Sequence, residues 1–457
     1  MEEPGKLLKP GFLHSYLEEM EYSKHNIFSK ISESEDYFLV NPLSMQADIL
    51  DRDEAKSYMD HNLTDREEYI QKGYLVDPVE EEKLFRKSYL NFIDERDSDE
   101  VQLFFTPWYS CNFDCSYCFQ DEYTNPHDHV EEEVIDAFYR YVDEKFAHRR
   151  KYITLFGGEP LLSSPSKKET IKKVLEGATR RNLDVAVVTN GYHLVEYIDL
   201  LKSAPIREIQ VTVDGTQAVH DSRRMLRGGT GSFDRIVKGV DALLENRIPV
   251  NLRMIVDKEN VNNLPELARF AIEKGWAKDP LFKTALGRNY ELHHCQTNQT
   301  KLFSRIEMYQ EIYALVKAHP EILEFHKPAF SIAKFIFENG EMPEPLFDSC
   351  SGTKTEWAFD YSGRIYSCTA TVGNVGDELG TFYPRVKLNE ELIEEWEERD
   401  VLAIKECTNC PVRLACGGGC AAIAKNRTGK LHAPDCRPVK DLLELGIGLY
   451  SQVPIES

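Results

Sequence analysis

Between residues 99 and about 287, short β-rich runs alternate with helical stretches, the pattern of successive βα units around a parallel sheet. Six runs read as strands: Val101 to Thr106, Tyr152 to Phe156, Asp184 to Thr189, Glu208 to Val213, Val250 to Val256 and Leu281 to Leu286. The helical period between them is plain in Val130 to Ala147, where Val134, Ala137, Phe138, Tyr141 and Val142 share one face. The expected fold is therefore α/β, a partial (β/α)6 barrel open at one side. Almost every unusual motif follows a strand, which gathers it on the face where barrel enzymes work. Cys111-x3-Cys115-x2-Cys118, with Tyr117 before its last thiol, follows the first strand, Gly157-Gly158-Glu159-Pro160 the second, and Thr189-Asn190-Gly191 the third. Thr212-Val213-Asp214-Gly215 closes the fourth, and Arg253 lies on the fifth.

Three thiolates hold an iron-sulfur cubane incompletely, because a four-iron cluster normally takes four Cys ligands. One iron stays open to a substrate or cofactor. Zinc is the competing reading, since catalytic zinc also keeps three protein ligands and an exchangeable fourth position.

The 457 residues, 42% hydrophobic and 29% charged, suffice for two or three domains with real cores. A net charge of -22 argues against a general nucleic-acid binder, which needs clustered Lys and Arg. The start, Met1 to Pro10, is polar without an apolar signal region, and no apolar stretch reaches the roughly 20 residues of a bilayer span. These features predict a cytoplasmic protein with neither membrane nor nucleic-acid partner. Eleven cysteines in a reducing compartment point to metal rather than disulfides.

The chain divides into residues 1–98, with strands near His25 to Ile31 and Tyr37 to Val40 and a winged-helix-like or simple capping character, the barrel at 99–300, a helical bridge at 301–345, and a cysteine-rich part at 346–457. That last part carries Cys350-x17-Cys368, then Cys407-x2-Cys410-x5-Cys416-x3-Cys420, then Cys436. Alone, Cys407 to Cys420 suits a zinc site as well as a cluster. Gly417-Gly418-Gly419 between two thiols suggests backbone held close to a bulky cluster. Cys295, in His293-His294-Cys295, reads as an ordinary thiol, with a reserve-ligand or redox role as the sharper alternative.

Together the two arrays resemble radical S-adenosylmethionine (SAM) enzymes carrying a C-terminal SPASM extension, of the ribosomal peptide maturase type, over residues 99–457. The resemblance implies that Cys111, Cys115 and Cys118 hold a 4Fe-4S cluster whose open iron chelates SAM. Glu159 of the Gly157-Gly158-Glu159 motif would help bind the methionine ammonium, Asn190, Thr212 and Asp214 would lie near the ribose, and Arg253 would meet the carboxylate. For Gly157, Gly158 and Asp214-Gly215 a plain turn is the bland alternative, and for Arg253 a structural salt bridge. The family pattern also puts Cys350, Cys368 and Cys420 on one auxiliary 4Fe-4S cluster and Cys407, Cys410, Cys416 and Cys436 on another. Ten cysteines then serve three cubanes with twelve corners, leaving one iron besides the SAM site without a thiolate.

The chemistry so implied is reductive cleavage of SAM, with an electron from a flavodoxin- or ferredoxin-type donor, to a 5'-deoxyadenosyl radical. That radical abstracts hydrogen from a ribosomally made precursor peptide, and a thioether or carbon-carbon cross-link forms. The N-terminal module would bind a leader segment as an added strand. Deleting residues 1 to 95 would then spare SAM cleavage and weaken peptide modification. The sulfatase-maturing branch, which makes formylglycine, is the alternative, although it places an acid where Thr369 follows Cys368, with Asp360 as a conceivable substitute. An iron-sulfur electron carrier or zinc-scaffolded binding protein is the alternative of another class. No catalytic base is singled out.

Overall fold

The structure, a computed structural model, describes residues 20–118, 120, 130–289 and 301–452. In the N-terminal part, β1 (Glu21–Tyr22) pairs antiparallel with β5 (Leu75–Val76), while β2 (Ile27–Lys30), β3 (Tyr37–Asn41) and β4 (Gln46–Leu50) form an antiparallel sheet. Two of these strands were expected. The third, β4, carries Asp48 at its middle, a residue that strands disfavour, and the Tyr74 hydroxyl (2.7 Å) and Lys72 (2.9 Å) hold that carboxylate. Helices 52–59, 66–71 and 78–98 follow, each entered through an Asp cap: Asp51, Asp65 and Asp77.

All six expected barrel strands are present, their ends within two residues of expectation: β6 (Val101–Thr106), β7 (Lys151–Leu155), β8 (Val185–Thr189), β9 (Ile206–Thr212), β10 (Val250–Val256) and β11 (Phe282–Arg288). They are parallel and lie side by side in chain order. Alternation fixes what faces inward. On β10, Val250, Leu252, Met254 and Val256 are buried in the outer layer, so Arg253 and Ile255 take the inner face; on β9, Gln210 and Thr212 do the same. Helix 132–145 covers the sheet with Val134, Ala137, Phe138, Tyr141 and Val142 buried, each Val and Phe contributing about 2 kcal/mol by leaving water.

Beyond β6 the sheet continues into the cysteine-rich part. Strand β12 (Glu356–Asp360) pairs in parallel with β6, Asp360 opposite Thr106, and β13 (Arg364–Tyr366), β14 (Glu378–Thr381) and β15 (Lys387–Leu388) add antiparallel strands. One ten-stranded sheet thus joins two parts that look separate in sequence. The N-terminal part is packed onto the same body: Phe347 sits among Phe85, Tyr89 and Phe92 at ring separations of 5.2 to 5.6 Å, and the Tyr89 hydroxyl donates to Asp400 (2.8 Å). Helix 439–450 covers the β2 side, where the Ser32 N–H donates to the Glu444 carbonyl (3.1 Å). No strand pairs with the outer edge of β4 among the described residues.

Candidate active site

The loops leaving β6 and β7 are zipped together. The Gly158 N–H donates to the Trp108 carbonyl (3.3 Å), the Glu159 N–H to the Ser110 carbonyl (3.0 Å), and the Trp108 indole to the Glu159 carbonyl (2.6 Å). A side chain at Gly158 would collide with the carbonyls of Tyr109 and Ser110, and Gly157 has φ +134°, so only glycine lets these loops meet. The result is a cavity of about 260 Å³ at the C-terminal ends of the strands. Cys111, Cys115, Cys118, Tyr117, Gly157, Gly158, Asn190, Thr212 and Arg253 all line it, so the expected residues from five strands meet in one place. The Arg253 carbonyl accepts from the Val213 N–H, but its guanidinium has no hydrogen-bond or ion-pair partner among the described residues and is available to an anion.

Two expected residues behave differently. The Glu159 carboxylate is buried and accepts from the Thr189 hydroxyl (2.7 Å), the Asn190 N–H (2.6 Å) and the Leu161 N–H (2.7 Å). It ties the β7 exit to the β8 exit and is not among the cavity's lining groups; burial pushes its acid strength down, with a pKa of about 6. Asp214, fully buried, accepts from the Tyr117 hydroxyl (2.5 Å) and the Ile255 N–H (3.0 Å) and lies 3.4 Å from Arg223 Nε. Both carboxylates hold the rim rather than face the space it encloses.

Sequence reasoning missed what backs the cysteine loop. Residues 223–227 run against it: the Asp114 N–H donates to the Met225 carbonyl (2.9 Å), the Ser116 N–H to Arg223 (3.1 Å) and the Arg227 N–H to Asn112 (2.9 Å). Arg224 donates to the Tyr117 hydroxyl (2.6 Å), and Arg223 forks onto Asp257 at 2.8 and 2.9 Å. Only the adjacent arginines hinted at this, because Arg is seldom buried without carboxylate partners. Burial pushes the Cys111 thiol up to about 12, with Glu159 adding to it, and Cys115 up to about 11 against the opposing pull of Arg224. Clustered thiols in such a site ionise when a metal takes them as ligands.

In the C-terminal part the thiols fall into two electrostatic neighbourhoods. Burial raises Cys368 well above its usual range, with Glu356 and then Cys350 and Cys420 adding to it; burial raises Cys407, with Cys416, Cys410 and Cys436 adding to it. No three His, Cys, Asp or Glu groups among the described residues gather around a point suited to a single ion. Gly417, Gly418 and Gly419 all have left-handed φ (62°, 73°, 73°), and added side chains there would strike Ser349, Ile404 and the Asp435 carbonyl. The three glycines therefore let this turn pack directly against the protein's own Ser349, Ile404 and Asp435. Their anchor is Arg399, fully buried, whose guanidinium donates to the carbonyls of Leu431, Gly419, Gly418 and Ala433 at 2.8 to 3.1 Å. Cys295 lies outside the described residues. Asp360 accepts from Tyr109, Tyr366, Ser362 and Arg364 and has no open side toward the cavity.

Residues 105–271 match the family model of the radical SAM superfamily, a class that works with SAM and a 4Fe-4S cluster. The chain's donor set fits them, with three thiols and an unpaired Arg253 guanidinium around one cavity. GTP 3',8-cyclase of Nautilia profundicola is 29% identical over 186 residues, 40% of this chain and 55% of that protein. AdoMet-dependent heme synthase of Methanosarcina barkeri is 26% identical over 167 residues, 36% of this chain and 45% of that protein. The chain spans about half the length of the curated relatives it matches. Among solved structures, anSMEcpe with bound AdoMet has a TM-score of 0.60 at 16% identity, covering 77% of this chain and 98% of that one. Streptococcus suis SuiB bound to precursor peptide SuiA has a TM-score of 0.53 at 13% identity, covering 92% and 99%. At these identities the likeness is one of fold.

Proposed function

We propose that this chain is a cytoplasmic radical SAM peptide maturase that cross-links a ribosomally made precursor peptide. The observation that carries the reading is that Thr369 and Ala370, next to Cys368, line the same cavity as Cys111, Cys115 and Cys118. A substrate in that space would lie between the first cysteine array and the residues that follow Cys368, which suits an oxidation that removes hydrogen at one side and delivers an electron toward the other. When bound, SAM and its cluster supply a radical able to take a hydrogen atom from an unactivated carbon. The chain's own residues would do the rest: Arg253 meets the SAM carboxylate, Asn190 and Thr212 border the nucleoside, and the zipped loops exclude water. Cys350, Cys368 and Cys420 would hold one auxiliary cluster, and Cys407, Cys410, Cys416 and Cys436 a second that faces a flavodoxin- or ferredoxin-type donor.

The open edge of β4 suits a leader segment added as a fourth strand, since an unpaired edge offers a row of N–H and C=O groups. SuiB, similar to this chain in fold, is solved bound to a precursor peptide, SuiA, which supports a substrate of the same class here. Formylglycine formation is less well supported, because Thr369 stands where that chemistry wants an acid and Asp360 is fully engaged.

The test is intact mass of a precursor peptide encoded beside this gene, after anaerobic incubation with reduced, iron-loaded enzyme and SAM. Loss of two hydrogens per event with 5'-deoxyadenosine formed is the expected outcome. Deoxyadenosine with every candidate peptide unchanged would overturn the peptide reading, and neither product would return the chain to the electron-carrier class.

A further inference from the structure

A second cavity, of about 560 Å³, adjoins the first, and Arg253 and Arg288 line both. Its walls come from β11, helix 305–318 and the loops and helices around Cys420, so it lies between the barrel and the Cys350, Cys368, Cys420 group. The floor is apolar, with Met308, Tyr309 and Ile332. Its charge is one-sided. Arg253, Arg288, Arg305 and Arg437 line it, and no Asp or Glu does among the described residues, in a chain with 77 acidic against 55 basic residues.

Two of these cations, Arg253 and Arg437, have no ion-pair partner among the described residues, whereas Arg288 donates to the Phe303 carbonyl (2.7 Å). The Nε of Arg437 is buried without a hydrogen-bond acceptor. The acid paired with Arg305 is Asp435, itself buried. It lies 3.5 Å from Arg305 but is shared with Arg427 (3.2 Å) and the Cys420 N–H (3.4 Å). Burying like charges side by side costs free energy unless an anion joins them. The guanidinium fork is matched to a carboxylate, and a carboxylate on an apolar stem would also fill the floor.

We propose that this second cavity seats an acidic side chain, Asp or Glu, of the peptide substrate, held by Arg305 and Arg437 close to the residue that reacts in the first cavity. This rests on the peptide reading above and narrows it to peptides with a carboxylate near the modified position. The competing account is that these arginines serve only to balance the charge of a cluster on Cys350, Cys368 and Cys420.

Binding of two probes to the iron-loaded enzyme with SAM, by anaerobic equilibrium dialysis, decides between them. The probes are an acetylated, amidated peptide Gly-Gly-Glu-Gly-Gly and its Gln counterpart, and iron per chain is measured in every sample. The Glu probe is expected to bind about tenfold more tightly at low salt, with the preference shrinking as salt screens it. Arg305→Gln and Arg437→Gln should each cut the preference at least threefold at unchanged iron, and Arg437→Lys should keep part of it. Arg437 neighbours Cys436, so if its variant loses iron, Arg305→Gln alone decides. Equal affinity for the two probes, a preference that survives Arg305→Gln, or a preference lost only in proportion to iron would each overturn the proposal. The probes are not turned over, so its failure is separate from that of the mass assay. A Glu-selective cavity in an enzyme that changes no precursor peptide would count against the maturase reading instead.

Discussion

Single side chains in this protein carry burdens that their sequence neighbours do not advertise. His25 is fully buried, stacked on Phe85 at 5.5 Å, and neither ring nitrogen has a hydrogen-bond partner among the described residues. Burial lowers its pKa to about 3, with Arg413 and Lys24 pushing the same way. The unfolded chain, titrating near 6.5, binds that proton more readily than the folded one. His25 therefore stabilises the fold above pH 6.5 and loses that contribution as pH falls toward 3, with a slope of up to about 1.4 kcal/mol per pH unit. His25→Phe keeps the stack and removes the proton site, so the urea midpoint of the variant should fall less between pH 6.5 and 4.5 than that of the wild type. Arg399 is the converse case, a buried cation satisfied by four carbonyls. Arg399→Met strands those acceptors, each at about 1 kcal/mol or more. The Gly417–Gly419 turn should loosen, and iron analysis should show loss from the C-terminal sites while SAM still binds at the barrel.

At the level of elements, the strands that were legible are those whose pattern is both long and apolar. Val101–Thr106 and Val250–Val256 match their expected ends, because buried parallel strands read as unbroken or alternating Val, Ile and Leu. Strand β4 was not legible, since its stability comes from pairing with β3 and from Asp48 bound by Tyr74 and Lys72 rather than from its own residues. Its edge is nonetheless the element on which leader binding would turn. Ile49 is 52% exposed there, so Ile49→Asp touches little of the folded core and should alter stability by less than about 0.5 kcal/mol. A strand docking on that edge would meet the new charge. Peptide cross-linking should drop about tenfold by mass spectrometry, with the unfolding midpoint unchanged; unchanged cross-linking would place the leader elsewhere.

For the whole molecule, the sequence suggested parts in a row, whereas the structure weaves them. The cysteine spacings, the Gly-Gly-Glu-Pro turn and the strand order all survive translation into three dimensions, because each is a local pattern with a local cause. The pairing of β12 with β6 joins residues some 250 positions apart, and the packing of Phe347 on Phe85, Tyr89 and Phe92 spans a similar separation; no local pattern encodes either. These joints change what truncation should do. Removal of residues 1–95 was expected to leave SAM cleavage intact, but it strips the aromatic rings from Phe347, which is fully buried, and uncovers Val401, Ile404 and Cys407 in the same cluster. Losing the cover of Phe85 alone compares with a buried Phe-to-Ala change of about 3 to 5 kcal/mol. Truncation at residue 95 should therefore lower the unfolding midpoint and any iron that Cys407, Cys410, Cys416 and Cys436 would hold, whereas truncation at residue 77 keeps helix 78–98 over Phe347 and should hold that iron. Iron counts on the two truncated proteins, side by side, separate a leader-binding appendage from a structural lid: equal and full loading in both would show that the N-terminal part is an appendage after all.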